Sequence, residues 1–481
     1  MVFSSLIFLY AFLPVSLLVY LLMPTQKTRN ISLLVFSLIF YAWGEPRYVL
    51  LLAAMSFFDW YFALQIEHSR KKRRRRRLLF AACAVNLGLI GYFKYAGLFC
   101  SLFGTVPEAI RSIALPIGIS FYTFQLLTYV VDVYRKEAQA QESYWNVLLY
   151  ASLFHQCIAG PIVRYQSIAD ELFGSRDPWR SLPSGVQRFS VGLAKKVVLA
   201  NAMGKLCDSI LLTDAALADS SAHAANLATL SQLPVLALWT GVIAYALQIY
   251  LDFSAYSDMA IGMGRMLGLH YSENFNYPYI SRSVTEFWRR WHISLSGFFR
   301  DYVYIPLGGS RCSKLRNLFN LLVVWALTGL WHGASWNFVL WGLYFFLFLM
   351  LEKLGLKKLL DRIPVLSNLY TLLVVALGWV LFRSSDLSLA AAVFKGLFGL
   401  NGNPFTNFAA TLLLKNNLYI LLLSMIASTP LLKKLAELLS SRMSRRGWNR
   451  LSTAVVPILL LLLSTMGLVG NSYNPFIYFQ F

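Results

Sequence analysis

Leu318–Met350, LFNLLVVWALTGLWHGASWNFVLWGLYFFLFLM, runs for 33 residues without a single Lys, Arg, Asp or Glu. As one helix it would measure about 50 Å at about 1.5 Å per residue, against a hydrocarbon core of about 30 Å. Basic residues flank both ends: Arg311, Lys314 and Arg316 before it, Lys353, Lys357 and Lys358 after it. Equal flanks return the chain to the side it entered from, so the segment must break. The break is expected at Thr328-Gly329-Leu330-Trp331-His332-Gly333, where two glycines permit tight turning and close helix approach. That leaves His332 within the membrane. An intramembrane ionisable residue is expensive unless used or satisfied. A neutral imidazole lowers that cost, so a functional and a structural role both stay open.

The rest of the chain agrees with a membrane setting. Of 481 residues, 57% are hydrophobic and only 14% charged, against about 25% charged in a typical soluble domain. Too little polar surface exists to cover a soluble core. The aromatic content excludes a disordered chain, and five scattered cysteines build no disulfide framework. Apolar segments recur from Leu6–Met23 to Leu451–Met466. They give an all-α polytopic protein with about 11 to 13 membrane helices, some too short for a simple span and so tilted or re-entrant. Leu6–Met23 lacks a basic lead and is expected to be retained as the first helix. Thr213–Ser231, rich in Ala and Ser, reads as an extramembrane loop.

The net charge of +21 sits in short blocks between apolar segments. That is positive-inside patterning and excludes a nucleic-acid partner. Arg70–Arg77, eight consecutive bases, anchors the cytoplasmic side, with contact to anionic lipid as the lesser alternative. Counting helices from it places both termini outside.

Three further stretches carry candidate chemistry. On a 100° wheel Ser283–Tyr302 puts Val284, Phe287, Trp288, Trp291, Leu295, Phe298 and Phe299 on one arc. Glu286, Arg289, Arg290, Ser296 and Arg300 fall opposite, and His292 lies at the edge of the apolar arc. This predicts one amphipathic helix in the cytoplasmic interface. Tyr250–Tyr279 holds Asp252 and Asp258, which need partners in an apolar region; Arg265 is the nearest base in sequence. Gln125, Tyr129 and Asp132 recur at helical spacing and share a face that could line a polar cavity. No metal spacing, nucleophile elbow or phosphate loop occurs. Redox and nucleotide-hydrolysing functions are therefore not expected.

Taken in order, several motifs resemble the membrane-bound O-acyltransferases, in the subgroup of alginate and peptidoglycan O-acetylation membrane subunits. They are Pro116-Ile-Gly-Ile-Ser-Phe-Tyr-Thr-Phe-Gln125, Ala159-Gly-Pro-Ile-Val-Arg-Tyr165, Asp252-Phe-Ser-Ala-Tyr-Ser-Asp258 and Asn274-Phe-Asn-Tyr-Pro-Tyr279. Glu286-Phe-Trp-Arg-Arg-Trp-His-Ile-Ser-Leu-Ser296, Arg300-Asp-Tyr302 and Gly329-Leu-Trp-His-Gly-Ala-Ser-Trp336 complete the set. The likeness runs over about residues 1–350. His155 and Asn201 depart from the family's usual Pro and Asp.

The resemblance implies a ring of tilted and re-entrant helices around a thinned centre, with a cytoplasmic funnel. It implies a single polytopic domain over 1–481: N-terminal helices 1–112, a catalytic core 113–350, and C-terminal helices 351–481. His332 matches the family's intramembrane histidine and His292 its second histidine. The acyl donor would be acetyl-CoA, without metal or redox cofactor. The acetyl group would cross the bacterial inner membrane to a polysaccharide, an extracytoplasmic esterase-fold protein completing the transfer. In that setting His332 is the expected base or transient acetyl carrier, with His292 orienting it. Arg289, Arg290, Arg300 and Arg282 are candidates for the CoA phosphates, because guanidinium forks match phosphate oxygens. Gln125, Tyr122, Asp252, Asp258, Trp288, Trp331 and Asp301 are pocket candidates. D-alanyl transfer from a carrier protein to teichoic acid, and a non-catalytic transporter or scaffold, are the alternatives.

Overall fold

The computed structural model describes residues 2–211, 220–470 and 473–475. Among them every regular element is helical. Among the described residues seven helices are long and apolar enough to cross a membrane: Tyr48–His68, Lys72–Ser101, Val235–Met266, Trp336–Leu360, Pro364–Arg383, Phe408–Ala427 and Arg445–Val469. Phe8–Leu22 and Leu387–Leu397 are apolar but shorter. Both fall below the roughly 20 residues that a simple span needs, and Leu387–Leu397 is not among the apolar segments read from the sequence.

Two compact units form. The first takes the chain up to Leu193, with Tyr256–Glu273 and Leu451–Leu468. In it Tyr48–His68 packs against Lys72–Ile90, Ile119–Arg135 and Tyr144–Ser152. The basic run Arg70–Arg77 is mostly not a loop: Lys72–Ile90 begins inside it. Gln125, Tyr129 and Asp132 are all fully buried in Ile119–Arg135, and the Tyr129 hydroxyl accepts from the Gln141 N–H at 2.9 Å.

The second unit takes Ala194–Ala255, Asn274–Arg450 and the tail. Its centre is an antiparallel hairpin, Lys314–His332 followed by Trp336–Leu351. The expected break in Leu318–Met350 therefore falls directly after His332. Lipid offers helices no hydrophobic reason to associate, so close contact and dispersion must hold them. A Cβ on Gly329 would overlap the Phe338 carbonyl oxygen, and one on Gly342 the Trp325 carbonyl oxygen. Gly329 thus packs against Gly342 of the return arm. Gly333, the other glycine of the sequence pattern, instead admits the Phe338 ring. Pro364–Arg383 packs on the return arm, and Leu387–Leu397 packs on Pro364–Arg383.

Two expectations are corrected. Within Thr213–Ser231, residues 220–231 belong to the Ser220–Gln232 helix rather than a loop; residues 213–219 lie outside the described residues. The single helix over Ser283–Tyr302 does not form. Val284–Arg290 and Ile293–Phe299 are separate seven-residue helices, and His292 between them is left-handed, at φ 43° and ψ 56°. The apolar arc is nonetheless buried throughout, from Val284 to Phe299. The wheel identified what is buried and missed the kink.

Candidate active site

Asn274 makes the kink. Its carbonyl accepts from the Ile293 N–H at 2.9 Å. Its side-chain Oδ1 accepts from the Ser294 N–H at 3.2 Å and the Ser294 hydroxyl at 2.9 Å. The same Oδ1 lies 3.1 Å from His292 Nδ1. A left-handed non-glycine residue is uncommon and persists only where its surroundings hold it; here one asparagine supplies four fixed contacts. Oδ1 carries no hydrogen, so His292 Nδ1 must be the donor. In the neutral ring the lone pair then lies on Nε2. His292 is 2% exposed, and burial pushes its imidazole down to about 3. It is therefore neutral at physiological pH. A group with so low a pKa is a weak general base at pH 7, which suits an orienting or hydrogen-bonding part.

His332 is the last residue of its helix and is buried. Three rings meet it edge-on: Trp331 at 4.9 Å, Trp341 at 5.0 Å and Phe382 at 5.1 Å between centroids. Such pairs add about 0.5–1.5 kcal/mol each beyond area burial, so the ring is firmly placed. A helix C-terminus also presents partial negative charge, which favours positive charge developing on the imidazole during proton transfer. Trp331 links the two histidines, its ring centroid lying 5.9 Å from that of His292. Phe253 closes another side of His292 at 4.6 Å. Trp288 sits in the neighbouring cluster, at 4.8 Å from Trp325, 4.8 Å from Phe345 and 5.5 Å from Trp341.

The second unit thus gathers His292, Trp331, His332 and Trp288. Asp252 belongs to the same unit, where its carboxylate pairs with Lys196 at 2.7 Å, both groups buried. Gln125, Tyr122 and Asp258 belong to the first unit. There Asp258 pairs with Arg188 at 2.7 Å. Neither aspartate takes Arg265; each finds its cation more than 50 residues earlier in the chain.

The four arginines divide into two kinds. Arg290 is tied to Glu286 at 2.9 Å and to the Asn276 carbonyl at 3.1 Å. Arg300 holds Asp301 at 2.6 Å, and that hydrogen bond raises the Arg300 pKa. Arg282 and Arg289 are exposed, and among the described residues no carboxylate pairs with their guanidinium groups. Sequence reasoning assigned no part to Trp341, Phe382 or Glu352, and none individually to Asn274. Asn274 lies within a recognised motif, and Glu352 is the first charge after the uncharged stretch, so both had a signal.

A helical membrane protein whose hairpin buries one histidine beside a second, across a tryptophan, defines the class. The chain belongs to the membrane-bound O-acyltransferase family, whose model matches residues 48–376, and it is an acyltransferase. It is 35% identical to a probable alginate O-acetylase, AlgI, of Pseudomonas putida, over 100% of both chains. It is 30% identical to a peptidoglycan O-acetyltransferase of Helicobacter pylori, over 100% of this chain and 98% of that one. A teichoic acid D-alanyltransferase of Streptococcus thermophilus is 29% identical over 50% of this chain and 58% of its own.

Proposed function

We propose that this acyltransferase takes acetyl from cytoplasmic acetyl-CoA and passes it across the bacterial inner membrane for O-acetylation of an extracytoplasmic polysaccharide. The observation that carries the reading is the buried His332–Trp331–His292 arrangement inside the family-matched segment. Full-length identity to an alginate O-acetylase and a peptidoglycan O-acetyltransferase supports acetyl as the group and a polysaccharide as the final acceptor. An extracytoplasmic esterase-fold protein completes delivery to the polymer. Arg70–Arg77 faces the cytoplasm, and both termini lie outside.

In the first step an acceptor hydroxyl attacks the thioester carbonyl. His332 takes the hydroxyl proton, the carbon–sulfur bond breaks, and the proton passes to the departing CoA thiolate. A thioester is a more energetic acyl donor than the ester formed, so no nucleotide hydrolysis is needed. General-base help of this kind is worth roughly 10²–10⁴ in rate. His292 Nε2, the lone-pair nitrogen, accepts a hydrogen bond and holds the acceptor or His332. Arg282 and Arg289 meet the CoA phosphates.

The test is reconstitution in vesicles with isotope-labelled acetyl-CoA supplied on the side bearing Arg70–Arg77. Label appearing on an acceptor on the opposite side is the expected result. Activity that ignores acetyl-CoA and requires a D-alanyl carrier protein would replace acetyl by D-alanyl. Label that stays on the donor side would contradict transmembrane passage.

A further inference from the structure

The return arm of the hairpin ends in a π-helical turn, Glu352–Leu356. Glu352 is 3% exposed. Its carboxylate accepts three hydrogen bonds: from the Val284 N–H at 2.6 Å, the Thr285 N–H at 2.9 Å and the Thr285 hydroxyl at 2.6 Å. Ser283 Oγ takes the Glu286 N–H at 3.0 Å. Together these satisfy the first three backbone donors of Val284–Arg290, which no intrahelical carbonyl can reach. Away from water each such donor would be costly if left unmade. A seven-residue helix is also far below the length of about 12–15 residues at which helices become marginally stable alone. Its position is therefore set by what grips it, and His292 follows two residues after its end. The next residue, Lys353, donates to Asn317 Oδ1 near the start of the His332 helix. One turn thus holds both histidine-bearing segments.

We propose that Glu352 is a positioning residue for acyl transfer, acting through the N-terminus of Val284–Arg290 to set His292 against Trp331 and His332. The proposal rests on the acyl-transfer reading above. It gives the start of the C-terminal region a role in the reaction.

The test uses the full chain in nanodiscs, with labelled acetyl-CoA turnover and thermal unfolding measured together. Glu352→Gln should lower kcat by roughly 10- to 100-fold, the scale expected when a catalytic group is misplaced by about 1 Å. Arg289 rides on the gripped helix, so the KM for acetyl-CoA should rise together with the loss of kcat. Thr285→Val removes one of the three bonds and should cost a few-fold. Asn274→Ala frees the same histidine from its other side. The double variant Glu352→Gln/Asn274→Ala should therefore lose less than the product of the single losses. A kcat for Glu352→Gln within about twofold of wild type, or fully multiplicative losses, would overturn the proposal. If Glu352→Gln does not fold, Thr285→Val with Asn274→Ala makes the same cycle. Amide hydrogen exchange over Val284–His292 separates the two readings. Faster exchange in the variant with an inactive wild type would sink the acyl-transfer reading and leave the clamp standing. Unchanged exchange would sink the clamp whatever the turnover.

Discussion

His292 Nδ1 lies 3.1 Å from Asn274 Oδ1, an oxygen that already accepts two hydrogen bonds from Ser294. That contact assigns the proton to Nδ1, fixes the ring and accounts for the left-handed backbone at His292. It also joins two stretches, Asn274–Tyr279 and Glu286–Ser296, that look unrelated along the chain.

Burial holds the His292 imidazole down to about 3 in the folded protein, against about 6.5 in an unfolded chain. The folded pKa lies below the unfolded one, so the unfolded state binds the extra proton between them. The stabilising contribution is complete above about pH 6.5 and is lost as pH falls towards about 3. Thermal midpoints should fall with pH across that window, and His292→Gln should fall less steeply. Equal slopes in the two proteins would contradict the buried neutral ring.

Gly329 and Gly342 set the spacing of the hairpin. Gly342→Ala should destabilise the protein by roughly 1–3 kcal/mol, the usual cost of overpacking. Gly329→Ala should do the same and also reduce turnover, because it displaces the turn that ends at His332. Thermal unfolding and turnover in parallel check both, and a wild-type midpoint in Gly342→Ala would refute the close approach.

The exposed and the engaged arginines should separate in kinetics. Arg289→Lys and Arg282→Lys should raise the KM for acetyl-CoA with little change in kcat, since a lysine loses the two-pronged phosphate contact. Arg290→Lys should disturb its ties to Glu286 and Asn276 instead. Both side chains of that pair are partly exposed, and such ion pairs contribute little, so its stability should change by less than about 1 kcal/mol. Identical KM values across the set would remove these arginines from the donor site.

Lys196 and Asp252 form a buried pair at 2.7 Å. Lys196→Met strips the cation from a buried carboxylate and should cost about 3–5 kcal/mol. Lys196→Met/Asp252→Leu should recover much of that stability. If the double variant is stable and active, Asp252 is structural; if it is stable and inactive, Asp252 belongs to the chemistry.

The hairpin was legible because its warrant is a length: 33 uncharged residues cannot cross once, and two glycines stand where the chain can turn. His332 followed from the same arithmetic. The segment around His292 was read correctly for burial and wrongly for shape. Helical periodicity reports which residues are apolar, and an asparagine 18 residues upstream supplies the contact that breaks the helix. The partners of Asp252 and Asp258 were out of reach for a similar reason. Lys196 and Arg188 lie 56 and 70 residues before them, so proximity in sequence pointed to Arg265 instead. The aromatic cage of His332 draws on Trp341 and Phe382, from two further helices. Only tertiary packing brings those rings together, and nothing in their local spacing marks them.

The most direct test is CoA release from labelled acetyl-CoA by wild type and His332→Ala, both purified in nanodiscs with acceptor and with matched thermal unfolding. The account predicts that the variant unfolds within a few degrees of wild type and loses turnover by at least about 10²-fold, the low end of general-base help. Equal turnover in the two folded proteins would contradict it and remove His332 from the chemistry.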